Sequence, residues 1–410
     1  VYFIAIIIIT ICYLILRSVK LNNLKTVILV MNKVLVLGGG VGGLVVANEI
    51  KDKLKDNIEV TLIDKKKRFE FAPSFIWVSF NERKPEEISK DLSLLKKKGI
   101  NVINDTILMI DLNNKTVKTI NDKFDYDYLV IALGLDYSYD IVKDFTYAYH
   151  NYNLNDAIKL GEAIKNFNGG NLLVGIARLP FKCPVAPYET ALLLDSYCKM
   201  KGIRDKTRIR FFTPEPYPIP AAGPEFGNML ADMLIQRGIE FNPKMVLKEI
   251  RGNEIVFDGI TMQYDLLYCV PPHIVPKVIQ DANLIDNTGF IPVNPKTMES
   301  KYENVYAIGD VTAIKLPEGS YAPYLPKAGV FAHHQAEVVA NNIAYKIKNR
   351  GKLKEYDGSG ACFIEVAHGE AAFIKAKFFT PKPEIEFHNP TRIWHMQKVL
   401  FEKYWLRHWF

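Results

Sequence analysis

A chain of 410 residues exceeds one ordinary domain and sets an expectation of two to three. Apolar residues make up 49% and aromatics 12%, enough to fill large cores, which excludes a globally disordered chain. The charges sum to 52 − 45 = +7 without long Lys/Arg runs, which argues against a nucleic-acid partner and fits an anionic membrane surface.

Val1–Leu16 is apolar apart from Thr10 and is followed by Arg17 and Lys20. Sixteen residues fall short of a membrane-spanning helix, and neither a positive n-region nor a small-residue cleavage site marks a signal peptide. Met31 stands directly before the first strand, so residues 1–30 read as an upstream extension outside the fold. Read instead as an anchor, they would place Arg17, Lys20 and Lys25, and the domain behind them, on the cytoplasmic side.

Lys33–Leu37 is a short apolar run of the kind expected for a buried parallel strand. Gly38-Gly39-Gly40-Val41-Gly42-Gly43 follows as a GxGxxG and opens a helical stretch to about Lys53; a second strand, Glu59–Ile63, ends at Asp64. Strand, glycines, helix, strand and terminal acid in one unit predict a dinucleotide site. Gly38 permits the tight turn, Gly40 lets the backbone approach a pyrophosphate, and Gly43 allows helix and strand to pack closely. The helix N-terminus offers free N–H groups to the phosphates, and Asp64 would accept hydrogen bonds from ribose hydroxyls.

Two further strands end in comparable turns: Tyr126–Gly134, closing on Ala132 and Gly134, and Asn304–Asp310, closing on Gly309 and Asp310. In this order the three motifs resemble two-dinucleotide-fold flavoproteins of the glutathione-reductase superfamily, over residues 31 to about 345. The resemblance implies FAD, with Asp310 on the ribityl chain. It implies an α/β chain of two interleaved Rossmann-like folds. Their expected bounds are 31–135 and 291–348 for the two parts of the FAD-binding domain and 136–290 for the second domain. Residues 349–410 would add a strand and an amphipathic helical tail.

The second fold is expected to lack a nicotinamide site. Its strand Asn171–Gly175 runs into Ile176-Ala177-Arg178-Leu179-Pro180-Phe181-Lys182-Cys183-Pro184, with no glycine until Gly202. Prolines 180, 184 and 187 supply neither the N–H donors nor the positive φ that a pyrophosphate loop uses.

Five cysteines, at 12, 183, 198, 269 and 362, are too scattered for a secreted disulfide scaffold, and no CxxC, CxxCH or Cys/His cluster predicts a metal or attached haem. Cys198 and Cys269 read as packing residues. Lys182 beside Cys183, near the start of a helix from about Tyr188, is an environment that could lower a thiol pKa. The stretch from Pro180 to Glu189 resembles that of sulfide:quinone oxidoreductases and flavocytochrome c sulfide dehydrogenase flavoproteins, and Ala361-Cys362-Phe363 resembles their C-terminal cysteine strand. The resemblance implies a redox-active bridge between Cys183 and Cys362 at the flavin, attacked by sulfide. Glu189 matches a family acid, either a base or a persulfide-protonating acid, against the alternative of a solvated carboxylate. Lys327, in Pro326-Lys327-Ala328-Gly329, matches an element whose cation would stabilise the reduced flavin. Two departures stand out. Thr146–Ala157 lacks the third cysteine of many members, and Pro220 stands where a histidine is expected; His150 reads as a surface histidine.

Thr391–Phe410 places apolar residues at 393, 396, 400 and 404 and polar His395, Lys398 and Glu402 between them. This reads as an interfacial amphipathic helix of a peripheral membrane protein, with Phe401, Tyr404 and Trp405 for quinone stacking or membrane embedding. The expected activity is FAD-dependent transfer of two electrons from sulfide to a membrane quinone. A flavocytochrome-type subunit feeding a partner cytochrome c and a type II NADH:quinone oxidoreductase are the alternatives. Homo-oligomerisation is left open.

Overall fold

The computed structural model describes residues 31–410, so both readings of residues 1–30 lie outside the described residues. Four early strands, β1 (Asn32–Leu37), β2 (Ile58–Asp64), β3 (Asn101–Asn104) and β4 (Tyr128–Ile131), pair in parallel in the order β4-β1-β2-β3. The register sets Val34 beside Val60 and Leu37 beside Ile63. Helix α1 (Val41–Leu54) crosses over between β1 and β2, as a parallel pair requires.

A second parallel sheet follows from β5 (Gly170–Ile176), β6 (Thr207–Phe212), β7 (Glu240–Asn242) and β8 (Leu266–Val270), in the order β7-β6-β5-β8. Before it runs α2 (Leu154–Asn166), capped by the Asn153 side chain, which accepts from the Asp156 N–H. Within it lie α3 (Ala186–Met200) and α4 (Pro224–Gln236). The chain then returns to the first sheet as β9 (Val305–Ala307), parallel beside β4, and continues into α5 (Gly329–Lys348), which packs against α1. Two parallel sheets with flanking helices confirm the α/β class. The excursion through the second sheet explains why the motifs of one site sit at both ends of the sequence.

Three antiparallel strands, β10 (Ser359–Ala367), β11 (Glu370–Lys377) and β12 (Glu384–Thr391), form a separate sheet in sequence order. Thr391 Oγ1 accepts from the Trp394 N–H and starts α6 (Arg392–His408). This helix is amphipathic in the opposite sense to the usual one. Its polar residues Lys398 and Glu402 are buried, together with Trp405 and Leu406. Ile393, Met396, Leu400 and Tyr404 are 62–64% exposed. Glu402 explains the inversion: it accepts from the Ser74 hydroxyl at 2.5 Å and from Arg83 Nε at 3.0 Å. Trp405 stacks on Phe69 with ring centroids 4.9 Å apart and lies 5.3 Å from Phe71. That packing corrects the expectation for Trp405, which is a core residue and not part of the outward face. Among the described residues no helix is long and apolar enough to cross a membrane.

Candidate active site

The glycine turn between β1 and α1 is shaped by contacts a side chain would destroy. Gly38 has φ +99°, and a Cβ there would fall 2.5 Å from the Ala132 carbonyl oxygen; a Cβ on Gly43 would collide with the Gly38 carbonyl. A Cβ on Gly40 would meet nothing within 4 Å, so this glycine faces open space at the start of α1. Asp64, at the end of β2, accepts the Gly39 N–H at 2.5 Å and the Lys66 N–H at 2.7 Å. The Ala132 N–H donates to the Leu37 carbonyl, and Gly134 turns the chain away at φ +64°.

The β9 end supplies the other half of the cradle. Gly309 N–H donates to Gln335 Oε1 at 2.7 Å, which ties the turn to α5. Asp310 Oδ1 is buried without a partner, and burial pushes its carboxyl above the usual range, against the opposing charges of Lys182 and Lys327. An orphaned acceptor in the turn just past the C-terminal end of this edge strand suits a hydroxyl-bearing ligand chain. Together with the open approach at Gly40, it shows that the residues present fit a flavin dinucleotide. Lys327 Nζ donates to the Asp310 and Thr312 carbonyls, both at 2.8 Å, and lies 3.6 Å from the Phe290 ring centre. Burial lowers its pKa to about 8, with Asp310 opposing.

The Cys183 loop is held against this turn. The Cys183 N–H donates to the Lys327 carbonyl at 2.7 Å, and Lys182 and Lys327 form an isolated bridge. Cys183 takes φ +53°, a conformation L-residues rarely adopt, which presents it at the bend ahead of α3. The residue is exposed in a recess, yet enough protein surrounds the sulfur that burial, and then Glu189, push its thiol up to about 12. Cys362, on β10, is likewise pushed up to about 12, by burial first and then by the charges of Cys183 and Glu189. The two thiols, both free, therefore lie within electrostatic reach of each other.

The cation opposing these shifts is Lys398 on α6. Lys182, whose ammonium lies 5.1 Å from the Tyr137 ring centre, also couples to Cys183, but the expected lowering of the thiol does not follow, because burial outweighs both cations. Glu189 is buried, which corrects the solvated alternative, and its Oε1 accepts from Lys398 Nζ and from the Glu365 N–H, each at 2.8 Å. Glu365 is buried too and lies 3.0 Å from His395 Nδ1, with Lys398 Nζ 3.5 Å away. Trp77 covers the group, 4.8 Å from Lys398 Nζ and edge-on to His395 at 5.8 Å. Burial works against the Lys398 ammonium, but the two carboxylates outweigh it and hold its pKa above the ordinary lysine value. Lys398, Glu365, His395 and Trp77 were not read as site residues from sequence. The one available signal was the unusual polar stripe on an aromatic helix.

Where the second sheet would carry a nucleotide cradle, the space is filled. Gly175 lies under the ring of Phe212, which a Cβ would strike, and Arg178 spans the loop by donating to the Ala177 and Leu247 carbonyls. His150 is buried, not on the surface as expected, and burial lowers its pKa to about 4 despite Asp156 nearby.

The sequence matches the pyridine nucleotide-disulphide oxidoreductase family over residues 32–164 and 189–336. The unmatched segment between them holds the Cys183 loop. A mitochondrial sulfide:quinone oxidoreductase of Dictyostelium discoideum is 28% identical over 367 residues, covering 85% of this chain and 78% of the relative. The sulfide-quinone reductase of Aquifex aeolicus strain VF5 is 29% identical over 388 residues, covering 91% and 90%. The X-ray structure of the sulfide:quinone oxidoreductase from Aquifex aeolicus superposes with a TM-score of 0.84 at 27% identity, covering 92% of this chain and 91% of that one. With the glycine cradle, the Asp310 turn and a matched span of more than half its length, the chain belongs to the pyridine nucleotide-disulphide oxidoreductase family.

Proposed function

We propose that this chain oxidises sulfide at Cys183 and Cys362 and passes two electrons through FAD to a membrane quinone. The carrying observation is that Glu189, on the helix after the Cys183 bend, accepts the N–H of Glu365, three residues along β10 from Cys362, while the Cys183 bend is hydrogen-bonded to the Lys327 segment of the cofactor turn. The relatives named for sulfide and quinone, similar over most of both chains, support the same reading. Gly38, Gly40, Gly43, Asp64, Ala132, Gly134, Gly309 and Asp310 would hold the FAD. Lys327 would keep the Asp310 turn and the Cys183 loop in register beside it. When bound, the flavin accepts the electron pair and passes it on.

The sulfur chemistry balances on the two cysteines with the flavin, when bound, as acceptor of one electron pair. Hydrosulfide attacks a Cys183–Cys362 bridge: the bridging S–S bond breaks, a persulfide S–S bond forms on one cysteine, and the other leaves as a thiol. Loss of that thiol's proton lets the two sulfurs rejoin with the new sulfur between them, which releases two electrons. Each hydrosulfide thus yields one bound zero-valent sulfur, one proton and two electrons. Glu189, buried beside both thiols, is the base for that proton.

Anaerobic titration tests the reading. Sulfide is expected to bleach the oxidised flavin stoichiometrically and NADH to leave it unchanged, because the second sheet has no pyrophosphate cradle. Bleaching by NADH but not by sulfide would overturn it.

The exposed face of α6 supports docking on a bilayer, with Phe401 and Tyr404 at the quinone. Phe401 is half exposed and lies 6.4 Å from Phe363, the neighbour of Cys362. The double substitution Ile393→Glu, Leu400→Glu removes apolar burial worth about 2 kcal/mol per residue, so liposome partitioning should fall at least about a hundredfold. Both residues point outward, so the denaturation midpoint should stay put. Flotation with liposomes measures the first and urea titration the second.

A further inference from the structure

Two buried carboxylates and one ammonium make an unbalanced set. Glu189 comes from α3, Glu365 from β10, and Lys398 and His395 from one face of α6. With Lys398 charged and both carboxylates ionised, a buried group of this kind carries one excess negative charge, which a proton relieves. The four side chains are also continuous: Glu189 to Lys398 at 2.8 Å, Lys398 to Glu365 at 3.5 Å, and Glu365 to His395 at 3.0 Å. At the inner end Glu189 accepts the N–H of Glu365, three residues along β10 from Cys362, and its charge acts on Cys183, Cys362 and Tyr268. The outer end, His395, is one-fifth exposed, and Arg83 is the charged group across Trp77 from it.

We propose that Glu189, Lys398, Glu365 and His395 form a proton relay that carries the proton of each oxidised sulfide from the cysteine pair to solvent beside the outward face of α6. The proposal rests on the sulfide reading above. The S–H bond of the leaving thiol breaks and a Glu189 O–H bond forms. Lys398 gives one of its protons to Glu365 and recovers one from Glu189. Glu365 then protonates His395 Nδ1, which is bare in the Nε2–H tautomer, while the Nε2 proton leaves to water. The electron pair takes the separate route through the flavin, so charge and proton part at the sulfur. Burial raises the Glu189 carboxyl above its usual range, with the Lys398 charge opposing.

A purely structural ion cluster would use the same contacts, so the test needs readouts that packing does not move. Sulfide-driven flavin reduction is followed by stopped flow in the holoenzyme across pH, in H₂O and D₂O, with a dye reporting proton release. His395→Gln keeps a hydrogen-bonding partner for Glu365 but cannot relay. Reduction should slow by on the order of 10²-fold, proton release should slow with it, and the solvent isotope effect should grow. His395→Ala should be slow likewise and regain rate with added imidazole. A His395→Gln enzyme with the wild-type pH profile and isotope effect overturns the relay, as does His395→Ala that binds flavin yet ignores imidazole. A wild-type flavin that does not respond to sulfide overturns the relay together with the sulfide reading, whereas failure confined to the variants overturns the relay alone.

Discussion

Cys183→Ser and Cys362→Ser are each expected to abolish sulfide-driven flavin reduction, by at least about 10³-fold, while the flavin stays bound. A serine hydroxyl fits the site but forms no sulfur–sulfur bond, so neither the bridge nor the persulfide can arise. Because the two sulfurs act as one unit, the double variant should be no slower than either single one. Flavin binding should survive because the residues proposed to hold it, the Gly38–Gly43 turn, Asp64 and the Asp310 turn, include no cysteine side chain. Cys198→Ser and Cys269→Ser are the controls. Both thiols are buried in hydrophobic clusters, so a hydroxyl there lowers stability and leaves single-turnover chemistry intact. Absorbance after rapid mixing with sulfide decides the matter, and full reduction in either site variant would remove the bridge from the mechanism.

The glycine cradle was legible because its requirements are local. Gly38 needs a positive φ, Gly43 must lack a Cβ, and both facts show in a short spacing next to an apolar strand. The loop of the second sheet carries a signal of the same local kind, prolines in place of glycines. The cysteine pair was legible only as a resemblance, since nothing in the spacing of residues 183 and 362 says that the chain folds back on itself. Of the Lys398 network only Glu189 is legible as a site residue, and Lys398 and His395 only as a polar stripe. Its main contact spans 209 residues, and helical periodicity shows which side chains share a face without showing which face points inward. On most helices the polar stripe meets water. On α6 that stripe meets Ser74, Arg83, Glu189 and Glu365, and the apolar residues are left outside.

Lys398→Met is the substitution expected to damage the fold most per atom changed. Methionine fills much of the same space, so the effect is electrostatic: Glu189 and Glu365 lose their ammonium while remaining buried. Breaking a buried pair from one side costs about 3–5 kcal/mol, a large part of the 5–15 kcal/mol that holds a typical domain folded. The deficit should depend on pH with a definite sign. The Glu189 carboxyl is already raised in the folded state, and removing the cation raises it further. A group raised on folding contributes stability at low pH that is lost as pH rises through its folded value. The variant's deficit should therefore be full near pH 8 and shrink as pH falls toward the ordinary glutamate value of about 4.3. Urea titrations of both proteins at several pH values measure it, and a deficit independent of pH would show that lost packing, not charge, is responsible. Adding Glu189→Gln to Lys398→Met removes one stranded charge and should restore about half the loss, in contrast to additive damage from two independent sites. Deleting residues 391–410 would be a poor test of membrane binding for the same reason. It takes away Lys398, the Glu402 partner of Ser74 and Arg83, and the core ring of Trp405 along with the outward face.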